Sequence, residues 1–303
     1  MWSAADIPDL RGRVALVTGG NSGIGYEVAR ELAGRRAIVV VAGRDPARIG
    51  AVAREIKGEA LLLNLADLGS VRAAAEEFRD RHERLDLLVN NAGVMIPPFE
   101  LTSDGFELTF GVNHLGHFAF TGLLLDRLLA APGARVVTVS SNGHRRGVMD
   151  FENLRAEKGY DPWGAYCGSK LANLLFAFEL QRRYPGLVSI GAHPGAARTP
   201  LMRHSPWHYR LAASRRTKWV MSWLIQDQLA GAQPILRAAT DVAARGGEYY
   251  GPDGRGENTG RPVRVLAVEA AYDPVAQRRL WEVSERLTGV RFPVVAGMLT
   301  DGP

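Results

Sequence analysis

A single cysteine, Cys167, stands in 303 residues, so no disulfide can form within the chain and a reducing, cytoplasmic setting is expected. No apolar run approaches the ~18 residues that a membrane-spanning helix needs. The opening stretch MWSAADIPDLRGRVALVTGG lacks a basic segment followed by an apolar run and a small-residue cleavage site, so no secretory signal and no membrane span are expected. No repeat of 20–50 residues and no low-complexity tract is visible. Charge of one sign is not concentrated either. Lys and Arg number 37 against 32 Asp and Glu, for a net +5, and the arginines are scattered, so no nucleic-acid partner is implied. His204 and His208 stand four apart without an acidic or cysteine partner, which leaves no metal site to propose.

What is present is core material: 46% hydrophobic against 23% charged residues suits one globular domain over residues 1–303. Short Val, Leu and Ile runs at 13–18, 37–42, 60–64, 85–90, 134–140, 187–192 and 247–250 read as strands. Longer amphipathic stretches at 23–34, 46–57, 69–83, 105–130, 164–184, 227–244 and 274–288 read as helices. The alternation predicts an α/β domain, a doubly wound, seven-stranded parallel sheet. One segment breaks the rhythm. Residues 197–225 interleave Pro200, Pro206, Trp207, Tyr209, Trp219 and Trp223 with Arg and His, and a long stretch without strand pattern reads as a substrate lid. Its aromatics fit a substrate wall, a core or an oligomer contact equally.

The segment Thr18 to Gly25, TGGNSGIG, lies between an apolar strand and a helical pattern. Glycines there permit a sharp turn and a close approach of backbone to ligand, while a helix N-terminus offers free N–H groups to a pyrophosphate. Gly19, Asn21, Ser22, Gly23, Ile24 and Gly25 are the candidate contacts. At the end of the second strand, where an acid would hold a ribose 2′-hydroxyl, stands Arg44, whose planar guanidinium can pair with a 2′-phosphate. NADP(H) is therefore preferred; the neighbouring Asp45 keeps NAD(H) open.

Tyr166 and Lys170 are four apart on a predicted helix and so share a face. A phenol with a pKa of ~10 exchanges protons poorly at neutral pH, but an ammonium within ~4–6 Å favours the phenolate. In isolation such a pair is an ordinary surface spacing. Cys167 points about 100° away from Tyr166 and reads as packing. His114 and His117 read as helix packing or solvent contact.

Taken in order, TGGNSGIG at 18–25, NNAG from Asn90 to Gly93, Asn113 in VNHLGHF, Ser140-Ser141 closing a strand, YCGSK at 166–170 and HPG from His193 to Gly195 resemble the short-chain dehydrogenase/reductase family. The resemblance runs from Leu10 to Gly289 and implies a Rossmann-like fold. It implies Tyr166 as the acid/base, Lys170 as its partner and as a ribose ligand, and Ser141, with Ser140 as the alternative, on the substrate oxygen. Asn113 is implied to keep a helix kinked around a water that links Lys170 to solvent. Asn91, Ala92 and Gly93 would line the adenosine side with Asn64 and Leu65, although Asn64 replaces the aspartate of many relatives. Pro194, Gly195 and Thr199 would flank the nicotinamide. The patterns AYCGSKLANLLF, NHLGHF and EYYGPDG are most similar to the retinol-dehydrogenase-like branch. That likeness implies an NADP(H)-preferring oxidoreductase of large apolar alcohol/carbonyl pairs, soluble and without the branch's membrane anchor. Relatives imply a homodimer or homotetramer built through the helices of Asn113 and Tyr166. Reduction of an activated C=C bond and a silent NADP(H)-binding sensor are the competing functions.

Overall fold

The computed structural model describes residues 2–197 and 226–293. Thr199 and the proposed lid beyond Ala197, with its prolines, aromatics and histidines, lie outside the described residues.

Strands β1 (Val14–Thr18), β2 (Ile38–Gly43), β3 (Glu59–Leu62), β4 (Leu87–Asn90), β5 (Arg135–Val139), β6 (Val188–Ala192), β7 (Tyr249–Pro252) and β8 (Pro262–Val265) form one sheet in the order β3-β2-β1-β4-β5-β6-β7-β8. The first seven are parallel and β8 runs antiparallel to β7. Seven strands are thus expected and eight are found. β8 is only four residues long and opens on Pro262, and a proline at a strand's start on the sheet edge costs no ladder bond. Chain direction across the sheet reverses between β1 and β4, which opens a crevice at the carboxyl ends of the strands.

Both faces are covered, so β1 is buried throughout. Alternate residues serve opposite layers. Ala15 and Val17 pack with Val28 and Leu32 of α1 (Gly23–Gly34) and with Ile235 and Leu236 of α8 (Gln228–Thr240). Val14 and Leu16 face the layer holding Phe78 of α3 (Leu68–Arg81), Phe118 of α5 (Gly116–Leu123) and Phe176 of α7 (Pro162–Arg183). A side-chain period of two is what divides the core this way. Helix starts are written in aspartate. Asp45 caps α2 (Pro46–Ile56), Asp67 caps α3, Asp161 caps α7, Asp227 caps α8 and Asp273 caps α9 (Pro274–Thr288), each carboxylate accepting a first-turn N–H.

The single helix expected over 105–130 is broken. It consists of α4 (Leu108–Phe110), a widened π turn at Gly111–Leu115, α5 and α6 (Leu125–Leu129). In the widened turn the Gly116 N–H reaches back five residues to the Gly111 carbonyl. Periodicity cannot register one extra residue in a turn, whereas a side chain that needs a fixed position can demand it. That side chain is Asn113.

The outer faces of α5 and α7 are closed within the chain by α9. Trp281 is 1% exposed and its ring lies 5.2 Å from Phe118, 5.9 Å from Phe176 and 4.4 Å from Phe292. Ser284 bonds His114 at 2.8 Å, and a side chain on Gly122 would collide with Phe292. Subunits pairing through those two faces, as the resemblance implies, would have to displace α9. Because α9 is bound by this aromatic cluster, Trp281→Ala is expected to cost ~3–5 kcal/mol of unfolding free energy in urea titration. A cost below ~1 kcal/mol would mean that α9 is not part of the cooperative core.

Candidate active site

At the end of β1 the chain turns through Gly19 at φ +65° and Gly23 at φ +60°, conformations that side-chain-bearing residues rarely hold. A Cβ on Gly25 would lie 2.4 Å from both Asn91 Nδ2 and the Gly19 carbonyl oxygen, so the loop folds tightly on the strand ends. α1 differs from the five aspartate-capped helices: Ser22 precedes it without a side-chain capping bond. Its first-turn N–H groups therefore face the crevice without the capping acceptor that those helices have, which fits a pyrophosphate there. Asn21 lies against Gly43, and a side chain on Gly43 would sit 3.1 Å from its Oδ1.

Arg44 is exposed and makes no ion pair with a described residue. Asp45 is committed elsewhere: its carboxylate caps α2 by accepting the Arg48 N–H at 3.1 Å and pairs with Arg48 Nε at 3.2 Å. Of the two neighbours, the guanidinium is the free one. Asn64 accepts the Ala66 N–H at 3.2 Å, and Leu65 is buried, its carbonyl so close to Gly116 that a Cβ there would be 2.6 Å away.

Thr18 organises the loop after β4. Its hydroxyl oxygen accepts the Asn91 N–H at 2.9 Å and the Ala92 N–H at 3.0 Å, while Asn91 Nδ2 donates to its carbonyl at 2.8 Å. On its other side stands His117, with Nε2 at 2.8 Å from the Thr18 hydroxyl and Nδ1 at 3.1 Å from the Asn113 carbonyl. A carbonyl only accepts, so Nδ1 carries the proton and the Thr18 hydroxyl donates to Nε2. Asn113 in turn accepts the Val94 N–H at 2.8 Å and donates to the Val94 carbonyl at 3.0 Å and to Ser169 Oγ at 2.9 Å. Neither Thr18 nor His117 is legible as a site residue, since both owe their role to contacts across about a hundred positions; VNHLGHF is the one sequence trace of His117. It is fully buried, so solvent contact is ruled out for it.

Tyr166, Lys170 and Ser141 meet at the carboxyl end of β5. Tyr166 is buried beside Ser141, whose side chain favours the phenolate. Gly143 lets the turn after Ser141 close on the ring, where a Cβ would sit 3.2 Å from Tyr166 Cε1. Lys170 Nζ lies 5.8 Å from the Tyr166 ring centroid and donates to the Val139 carbonyl at 3.2 Å. Ser140, the alternative to Ser141, points away and donates to the Lys170 carbonyl at 2.7 Å. The electrostatics depart from expectation. An ammonium nearby is expected to pull the phenol down, yet burial pushes Tyr166 up to about 12, with Ser141 only partly opposing it. Burial likewise pulls Lys170 down to about 8. Removal from water penalises both charged forms and outweighs a lysine that reaches the ring face rather than the oxygen.

Pro194 and Gly195 follow β6 next to the β5 end, with Gly195 at φ +64°. The Gln226 amide donates to the Pro194 carbonyl at 2.7 Å, and Ala197 bridges to Gln226, so both ends of the undescribed segment meet beside this turn.

A strand-end crevice that joins a glycine turn and an uncapped helix start to a half-buried Ser141 and to buried Tyr166 and Lys170 defines a nucleotide-dependent oxidoreductase. The chain belongs to the short chain dehydrogenase family, whose sequence model matches residues 13–207. It is 42% identical to retinol dehydrogenase 13 of Homo sapiens, over 97% of this chain and 88% of that protein. It is 41% identical to polyprenol dehydrogenase of Mus musculus, over 93% and 86%. A crystal structure of an uncharacterized protein from Mycobacterium Paratuberculosis superposes with a TM-score of 0.80 at 41% identity, covering 96% of this chain and 99% of that one. As a family member the protein is an oxidoreductase using NAD(P)(H). No helix among the described residues is long and apolar enough to cross a membrane.

The buried histidines set an acid limit on this site. Burial lowers His114 to about 3, and His117 and His144 to about 4. The folded state then binds fewer protons than the unfolded chain below pH ~6.5, so stability falls as pH falls. Between pH 7.5 and 5.5, above the range where most carboxylates titrate, each should remove on the order of 1 kcal/mol. Urea unfolding at the two pH values measures the sum; equal stability at both would contradict it.

Proposed function

We propose that the protein is an NADP(H)-preferring oxidoreductase that interconverts a carbonyl and a primary or secondary alcohol on a fairly large apolar substrate, with Tyr166 as acid/base. The observation that carries this reading is a buried Tyr166 flanked by Ser141 and by Lys170, whose Nζ lies 5.8 Å from the ring centroid. The bound nicotinamide supplies or takes the hydride. Ser141 and Tyr166 would together bond the substrate oxygen, and Tyr166 would hand its proton to that oxygen as negative charge builds there. A phenol held at about 12 keeps its proton at neutral pH, the form a carbonyl reduction requires. Lys170 would offset the charge of the phenolate left behind and hold the nicotinamide ribose. Asn113 would keep the widened turn in place beside them.

The names of the relatives support an apolar alcohol as substrate and favour alcohol–carbonyl chemistry over C=C reduction or silent cofactor binding. The preference for NADP(H) over NAD(H) is supported by an exposed Arg44 and an Asp45 already bound to α2. Gly19, Asn21 to Gly25, Asn64, Leu65 and Asn91 to Gly93 would line the adenosine and phosphate side, and Pro194, Gly195 and Thr199 the nicotinamide. Residues 197–225 stand in this reading as the substrate lid within a single domain of residues 1–303. A cytoplasmic location accords with one free, buried cysteine. A homodimer or homotetramer would use a surface other than the α5 and α7 faces that α9 covers.

Tyr166→Phe is expected to lower kcat on apolar aldehydes at least ~100-fold while NADPH still binds, measured by absorbance at 340 nm and by titration. Turnover equal to wild type would refute the acid/base assignment. Arg44→Ala should raise KM for NADPH by roughly tenfold or more and leave that for NADH within about twofold. Parallel changes in both would remove Arg44 as the selector.

A further inference from the structure

The two turns at the nicotinamide end, Ser141-Asn142 after β5 and Pro194-Gly195 after β6, leave adjacent strands whose last link is the Ser140 N–H on the Ala192 carbonyl at 2.7 Å. The register holds only as far as Val139 opposite Ala192. Beyond it, one short loop between β7 and β8 touches both turns. Asn142 Nδ2 donates to the Gly256 and Glu257 carbonyls, each at 3.1 Å. The Ala196 N–H donates to the Asn258 carbonyl at 2.7 Å, and a Cβ on Gly195 would lie 2.4 Å from that same oxygen.

The carboxylate of Glu257 completes the connection. His193, fully buried, accepts the Gly195 N–H on Nδ1 at 3.3 Å, so its proton sits on Nε2 and is donated to Glu257 Oε2 at 2.9 Å. The other carboxylate oxygen accepts from Arg145 at 2.6 Å, and Arg145 belongs to the turn Asn142–Arg146 that Ser141 caps. His193 itself lies so close over β7 that a Cβ on Gly251 would come within 2.0 Å of its Nε2. Glu257 is held at φ +55° directly after Gly256 at φ +63°. A non-glycine residue keeps a left-handed backbone where its surroundings over-determine it.

We infer that Glu257 is a positioning residue: by bonding His193 and Arg145 at once, its carboxylate fixes the spacing between the Pro194-Gly195 turn and the Ser141-Asn142 turn, and so the width of the nicotinamide end of the site. The inference rests on the oxidoreductase reading above. It separates two ends of one cofactor: the adenosine end is built on Thr18, Arg44 and Asn91 and does not touch this loop.

The test compares binding of NADPH with binding of adenosine 2′,5′-bisphosphate, which lacks the nicotinamide, on the full chain by calorimetric titration. Glu257→Ala is expected to raise the Kd for NADPH by roughly tenfold and to leave that for the fragment within about twofold. Glu257→Gln, whose one amide oxygen can accept from His193 or from Arg145 but not from both, should weaken NADPH less than Glu257→Ala and likewise spare the fragment. Equal loss for both ligands, or no loss for either, overturns the inference, since a merely structural role cannot separate the two ends. A wild-type chain that binds neither ligand refutes the cofactor reading itself. Should Glu257→Ala be too unstable to assay, Arg145→Ala, at a side chain 45% exposed, cuts half of the connection and is expected to weaken NADPH alone by about threefold.

Discussion

Three hydrogen bonds from the Asn113 amide hold the loop after β4, the widened turn and α7 at fixed distances. An amide is the group for this position because it both accepts and donates, so it can take the N–H and the carbonyl of Val94 together and still reach Ser169. Ser169 passes the constraint on, donating to the Tyr166 carbonyl at 2.8 Å. The π turn follows from the same demand. A regular helix would swing Asn113 off this line, and the extra residue in the widened turn gives it the position. Through the Asn113 carbonyl, His117 and Thr18, the line continues to the glycine turn. One hydrogen-bonded object thus joins the glycine turn to the Tyr166 backbone.

Desolvation decides the electrostatics of that object. Tyr166 and Lys170 are each deprived of water, and each is moved toward its neutral form, one upward and one downward. The attraction between a phenolate and an ammonium would oppose this, but at the observed placement burial wins. The buried histidines obey the same rule without any opposing partner strong enough to charge them. His144 illustrates it: bonded through Nδ1 to the Ser141 carbonyl at 2.6 Å, it is nevertheless held down at about 4. The turn carrying Ser141 is thus supported by a neutral imidazole, with no net charge added beside the reacting groups.

Much of the architecture was legible in local pattern. The uninterrupted apolar run of β1 marks a strand, which the structure buries on both faces, and the amphipathic stretches at 46–57, 164–184 and 274–288 mark helices, which form as α2, α7 and α9. The glycine turn and the Tyr166–Lys170 spacing were likewise readable, because they depend on neighbours within a turn or two. β8 and the interrupted helix were not. The first is defined only by its pairing with β7, and the second by an asparagine whose partners are Val94 and Ser169, 19 and 56 residues away.

Sequence by itself determined the family, the order of the elements and the residue types that gather at the strand ends, since these are carried by contiguous motifs. Tertiary structure alone told near-equal neighbours apart: Ser140 turns to the Lys170 carbonyl while Ser141 stands beside the phenol, and Arg44 is left open while Asp45 turns to cap α2. It also decided that α9 seals the α5 and α7 faces. The physical reason is the same in each case. Adjacent residues share composition and propensity, and only the direction in which the folded backbone aims each side chain, and what already stands there, tells them apart.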